Sequence, residues 1–183
     1  MEKIMIIGNG GAGKSTLARK LGVVLAKEVY HLDALFWKPG WETTASDEWK
    51  AILTEIMAKD SWIMDGNYGS TIEMRARAAD TIIFLDYSTS RCLYGIFKRR
   101  VMYHKKSRPD MNEGCEEKLD WTFIKWVAGY KRKKTPGILA FLDEMKTSGK
   151  EIHHFTKPRD TEHFIHETLN KGGNLNEIRN SKK

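Results

Sequence analysis

The chain has 183 residues, 40% hydrophobic and 30% charged, with a net charge of +7, which suits one domain with a substantial core. Cys92 and Cys115 are too few for a disulfide scaffold or a cysteine-held zinc site, so a reducing compartment is expected. No apolar run reaches transmembrane length, and Met1-Glu2-Lys3 leads straight into a strand pattern, so no signal peptide is expected. A cytoplasmic protein is expected, a monomer or weak dimer without membrane partners.

Lys3-Ile4-Met5-Ile6-Ile7 reads as a buried strand. Gly8-Asn9-Gly10-Gly11-Ala12-Gly13-Lys14-Ser15 follows with the spacing G-x-x-x-x-G-K-[ST], and from Thr16 a helix carries Leu17, Leu21 and Leu25 on one face. Val29–Leu32 reads as a second strand ending at Asp33, with a loop at Pro39-Gly40 beyond it. A helix is expected from about Asp47 to Lys59, capped by Thr44 or Ser46. Trp62-Ile63-Met64 is a third strand ending at Asp65-Gly66, and a short helix spans about Thr71–Ala79. Thr81–Leu85 is the fourth strand, ending at Asp86.

Beyond Asp86 the pattern turns helical. Leu93, Ile96, Phe97 and Val101 share one face, and Leu119, Phe123, Trp126, Val127 and Tyr130 another. Between them the polar, aperiodic segment His104–Glu116 reads as a mobile connector, a lid-like insertion at about 104–117. Ile138, Leu139, Phe141, Leu142 and Met145 form a third face behind Pro136. Glu151–Phe155 is a last strand and Asp160–Leu169 a last helix. One domain over 1–170 is expected, with 171–183 a polar, disordered tail. Strand–helix alternation predicts an α/β fold with a parallel sheet between helices, and with ligands at the carboxyl ends of the strands.

The glycine-rich loop is the phosphate-binding loop of nucleoside triphosphatases. Its N–H groups converge on one anion at the positive end of a helix. Gly8 through Thr16 are therefore the expected ATP-binding residues; Lys14 reaches the β- and γ-phosphates and Ser15 ligates Mg²⁺. Asp65 is the first candidate for holding Mg²⁺ through its water shell. Asp33 comes second, as a metal-water ligand or as the base that positions an acceptor hydroxyl, and Asp86 as a helix cap.

Basic charge is concentrated: residues 1–90 carry −2, 91–134 carry +8 and 135–183 carry +1. Such a stretch serves either the phosphates of a small ligand or nucleic acid. Arg99, Arg100, Arg108 and Arg132 are candidates to neutralise a transferring phosphoryl group, the alternative for each being a solvated surface side chain. Arg75 and Arg77 stand where an acceptor could bind, and Trp37 and Trp41 could line its pocket or pack a loop. His163 and His166 suggest no third metal ligand and read as surface residues.

Met64-Asp65-Gly66-Asn67 resembles the leucine-aspartate-glycine-phenylalanine-proline-arginine turn of adenylate kinases. Thr81–Asp86 and the helix ending in Lys98-Arg99-Arg100-Val101 resemble the strand, helix and paired arginines that open the adenylate kinase lid. His31-Leu32-Asp33-x-Leu35-Phe36-Trp37-Lys38-Pro39-Gly40-Trp41, Asp65-Gly66-Asn67-Tyr68 and Arg108-Pro109-Asp110-Met111-x-Glu113-Gly114-Cys115 are similar to the bacterial topology modulation (FlaR-related) proteins, small P-loop kinase-like ATPases. The resemblance runs over about residues 1–168. It implies a P-loop NTPase three-layer sandwich of nucleoside monophosphate kinase type, five parallel strands in order 2-3-1-4-5, with ATP–Mg²⁺ as donor. It also implies that adenine lies between Arg99 and the loop Thr156-Lys157-Pro158-Arg159. Where adenylate kinases place an arginine for the AMP phosphate, this chain has Asn67-Tyr68-Gly69-Ser70.

These observations point to a phosphotransferase acting on a small acceptor, a nucleotide being one candidate. The alternative is a DNA-associated ATPase or regulator of DNA topology that uses the 91–134 stretch. No helix-turn-helix, zinc finger or RNA-binding motif supports it, and no Asn-Lys-x-Asp motif supports a GTPase.

Overall fold

The computed structural model describes residues 1–104, 106, 108–117 and 120–180, with side chains as far as Asn170. Leu119, expected on an apolar helix face, and residues 181–183 of the expected tail lie outside this range.

Five parallel strands form the centre: β1 (Lys3–Gly8), β2 (Val29–His31), β5 (Trp62–Asp65), β6 (Thr81–Leu85) and β7 (Glu151–Phe155). Their order across the sheet is β2-β5-β1-β6-β7, which is 2-3-1-4-5 when only these strands are counted. The alternation of side chains along β1 divides the core in two. Ile4 and Ile6 pack with Leu17 and Leu21 of α1 (Lys14–Leu25), Cys92 and Ile96 of α5 (Thr89–Met102) and Val127 of α6 (Trp121–Lys133). Met5 and Ile7 face Trp49 and Leu53 of α3 (Ser46–Ala58), Ala76 of α4 (Ile72–Ala78), and Leu142 and Met145 of α7 (Thr135–Thr147). Ile4 to Ile7 are all fully buried, so β1 is covered on both faces, as a central parallel strand must be.

The register aligns the functional edge. Ile6 lies beside Asp65, His31 beside Asp65, and Gly8 beside Leu85. The phosphate loop, His31 and Asp65 thus emerge together at the carboxyl ends of the strands.

Three expectations are corrected here. Asp33 stands not at a strand end but in the first turn of α2 (Leu32–Phe36), and the supposed loop after it is a hairpin, β3 (Trp37–Lys38) with antiparallel β4 (Glu42–Thr43). Leu32, Leu35 and Phe36 turn one helical face to the core. Neither Thr44 nor Ser46 caps α3: Ala45 holds that position, and the Thr44 hydroxyl donates to the carbonyls of Leu35 and Phe36. Finally, α8 (Pro158–Asn180) continues past the expected end at Leu169.

Candidate active site

The phosphate loop is built by close backbone contact. A Cβ on Gly11 would lie 2.2 Å from the Cys92 carbonyl oxygen, and one on Gly95 would lie 2.2 Å from the Gly11 carbonyl oxygen. Only two glycines allow α5 to rest on the loop at this distance. Asn9 Nδ2 donates to the Val127 carbonyl at 2.9 Å and its Oδ1 accepts from Gly10 N–H, tying the loop to α6. Asn67 grips the other end: Oδ1 accepts from Gly8 N–H at 3.1 Å and Nδ2 donates to the Gly8 carbonyl at 2.8 Å. The first turn of α1 has no acidic residue, so the positive end of that helix is open to an anion.

Lys14 Nζ donates to the carbonyls of Gly8 and Asn9, at 3.0 and 3.1 Å. Among the described residues it forms no ion pair with a carboxylate, and burial pushes its pKa below the usual lysine value against the pull of Asp33 and Asp65. A half-buried cation in this position is favoured by further negative charge at the cavity face. Next to it, Ser15 Oγ donates to Asp65 Oδ2 at 2.8 Å, while Asp65 Oδ1 is paired with His31 Nδ1. Asp65 is 4% exposed. A serine hydroxyl and a carboxylate at this position are hard oxygen donors that fit Mg²⁺.

Asp33 Oδ1 accepts from the Tyr68 hydroxyl at 2.9 Å, and Oδ2 lies 3.6 Å from Arg108. Burial, reinforced by Asp33, raises the Tyr68 phenol well above its usual pKa, so it remains a donor. Asp86 leaves the site altogether. It takes Lys131, Thr135 and His154 as partners, and Ser88 caps α5 in its place.

The described part of the connector is a packed cover with Arg108 as its centre. Arg108 NH1 donates to Asp110 Oδ2 at 3.1 Å, and Nε lies 2.9 Å from Glu117 Oε2, an ion pair too oblique for a hydrogen bond. Glu117 also accepts from Arg99 Nε at 2.7 Å, and its carbonyl accepts from Arg100. Burial, then the neighbouring Arg108 charge, lowers the Arg99 pKa in spite of Glu117. Burial would raise the Asp110 carboxyl, but Arg108 and the Ser15 hydroxyl outweigh it and hold it below the usual range. Although the segment reads as mobile, its polar groups find partners on α2 and the hairpin. Asn112 Nδ2 donates to the carbonyls of Ala34 and Trp37, Gly40 N–H to Gly114, and Cys115 Sγ to Lys38.

Together these parts enclose a cavity of about 910 Å³, lined by Gly10, Gly11, Gly13 to Thr16, Asp33, Asp65, Arg99 and Arg108, with Trp37, Trp41 and Tyr68 on the hairpin side. That volume is at the upper end for small-molecule sites. Seven of the expected catalytic and ATP-binding residues do not line it: the buried Gly8, Asn9 and Ala12 of the loop, and Arg132, Lys157, Pro158 and Arg159. Arg132 is exposed on α6, and Lys157 comes just before Pro158 and Arg159, which open α8. Arg75 is fully buried and spends its guanidinium on the carbonyls of Gly66, Asn67 and Tyr68, and Arg77 pairs with Glu73 on the surface. His163 pairs with Glu167 and is exposed. Sequence reasoning missed His31, Asn67, Asp110 and Glu117. For the two acids the available signal was an acidic residue set inside the basic stretch.

No protein-family model and no curated protein matches the chain. Among solved structures it is similar to shikimate kinase from Acinetobacter baumannii in complex with shikimate, at 12% identity over 100% of this chain and 95% of that one, but the TM-score of 0.48 is too low to carry weight. It is also similar to shikimate kinase from Bacteroides thetaiotaomicron, at 17% identity over 95% of this chain and 97% of that one, with a TM-score of 0.53. That likeness, with the strand order and the phosphate loop, establishes the α/β P-loop kinase fold.

Proposed function

We propose that the chain is an ATP-dependent phosphotransferase acting on a small acceptor. The observation that carries this reading is Lys14, a half-buried cation whose hydrogen bonds among the described residues go to backbone carbonyls, set beside the Ser15–Asp65 pair. A triphosphate on Gly8 to Thr16 supplies the missing negative charge, with the loop N–H groups and Lys14 on its β- and γ-phosphates. Ser15 and Asp65 hold Mg²⁺, which neutralises charge on the phosphates when bound. Arg99 and Arg108 stand over the place where charge spreads during transfer. Asp33, facing the cavity, accepts the proton of the attacking hydroxyl. The 108–117 cover excludes water, which a transferase requires if it is not to hydrolyse ATP. The resemblance to adenylate kinases and topology modulation proteins suggests the same chemistry and the adenine position near Arg99.

Replacing Lys14 by alanine tests this. Lys14→Ala is expected to fold normally while losing ATP affinity and all acceptor-dependent ADP release. Wild-type turnover in the folded variant would falsify the assignment. The DNA-associated reading is favoured by one feature only, the exposed Arg132, Lys133 and Lys134 at the end of α6.

A further inference from the structure

Among the described residues, the acceptor half of the cavity, read within this phosphotransferase assignment, is poor in available positive charge. The segment from Leu32 to Tyr68 contributes Asp33, Trp37, Trp41, Asp65, Gly66, Asn67 and Tyr68 to the wall, and no lysine or arginine. Lys38 in this segment is paired with Glu48 outside the cavity. The two arginines that follow, Arg75 and Arg77, are engaged with backbone carbonyls and with Glu73. Arg108 is the described cation nearest Asp33, and it faces three carboxylates: Asp33, Asp110 and Glu117. Even with Arg99 counted, these five groups carry one net negative charge. The other basic wall residues are Lys14, assigned above to the β- and γ-phosphates, and Arg19, both on α1, and Lys98 on α5.

The segment offers aromatic surface in place of charge. Trp37 and Trp41 are half-buried, with ring centres 5.4 Å apart at 65°, and form a corner at the cavity wall. Tyr68 is backed by Phe36 and Trp49, at 4.8 and 5.2 Å. Trp41 and Tyr68 hold left-handed backbone angles, φ 68° and 22°, which non-glycine residues adopt at a cost. A corner of this kind receives a flat ring or the apolar face of a sugar.

We propose that the acceptor is a hydroxyl compound without phosphate or carboxylate that offers such a face: a nucleoside, a sugar or an amino sugar. Its hydroxyl gives its proton to the Asp33 carboxylate as its oxygen bonds to the γ-phosphorus of ATP. The bond from that phosphorus to the β–γ bridging oxygen breaks, and the electron pair leaves on ADP. An anionic acceptor brings a second negative charge against Asp33 and Asp110, which is disfavoured by on the order of 10²-fold or more at such separations.

The test measures acceptor-dependent ADP release by the full chain with ATP and Mg²⁺. One acceptor set is uncharged or cationic: nucleosides, hexoses and amino sugars. The other is anionic: nucleoside monophosphates, hexose phosphates and hydroxy acids. The highest kcat/KM is expected in the first set, with Trp37→Leu raising KM for that acceptor more than it lowers kcat. Asp33→Asn should cut kcat by about 10²-fold or more. Preference for an anionic acceptor overturns the proposal but leaves a kinase. ATP binding measured in parallel separates the other failures. Bound ATP with no member of the first set phosphorylated overturns the acceptor class alone. No ATP binding by the wild-type chain overturns the kinase reading, and the acceptor class with it.

Discussion

At the scale of single residues, two carboxylates near one loop have different neighbours and so suit different tasks. Asp65 is buried between Ser15 and His31, whereas Asp33 lies beside Tyr68 and Arg108 at the cavity face. Asp65→Asn is therefore expected to weaken Mg²⁺ dependence by about 10- to 100-fold with a smaller effect on ATP binding, read from turnover across a Mg²⁺ titration. A lost Mg²⁺ dependence in Asp33→Asn, with Asp65→Asn unchanged, would reverse the two roles. Arg75 gives a contrasting expectation. Burial lowers its pKa to about 10, and its guanidinium satisfies three carbonyls in the turn that carries Asn67. Arg75→Met should cost on the order of 3 kcal/mol in denaturant unfolding, because those carbonyls are left without a partner inside the protein. If Arg75 were instead an acceptor ligand, the loss would appear in KM with stability unchanged.

At the scale of elements, the strands and the phosphate loop were legible because their signal is local. Apolar runs mark β1 and β6, and the motif spacing marks Gly8 to Ser15. Asp65 followed from its place after such a run. The hairpin and α2 were not legible, since two-residue strands and a five-residue helix fall below the length at which periodicity can be read. That Arg132 is exposed and does not line the cavity was not legible for a different reason. A basic residue on a helix is brought to a site or turned away by the phase of that helix, and composition does not set the phase. Glu117 was overlooked because its role depends on Arg99 and Arg108 converging from separate segments. The cover's attachment to the hairpin leads to a test at this scale. Asn112→Ala removes two hydrogen bonds, to Ala34 and Trp37. Amide exchange at Gly40 and Met111 should quicken by about tenfold, as expected for a net loss of roughly 1–2 kcal/mol. Unchanged exchange would mean that the cover is held by other contacts.

For the whole molecule, the charge distribution separates an enzyme from a nucleic-acid binder. Part of the basic charge on residues 91–134 is internally committed: Arg99 and Arg108 to Glu117, and Lys131 to Asp86. What remains on the outside includes Arg132, Lys133 and Lys134. DNA binding measured by titration should accordingly be weak, indifferent to sequence and steeply lost with salt, as simple counterion release requires. Replacing those three residues by alanine should abolish it and leave phosphoryl transfer untouched. A sequence-selective complex stable at physiological salt, with no acceptor phosphorylated, would favour the DNA reading.

The contact between Gly95 and the phosphate loop constrains how such a chain can diverge. With backbone against backbone at positions 11 and 95, no single substitution at either site is absorbed by a rotamer change. Lineages that acquire a side chain there must first shift α5 outward, carrying Arg99 and the root of the cover with it. Position 95 thus offers a one-letter criterion for sorting chains of this fold. Those with glycine can keep the loop and α5 in this geometry, and those without it must enclose their phosphates in a cavity of another shape.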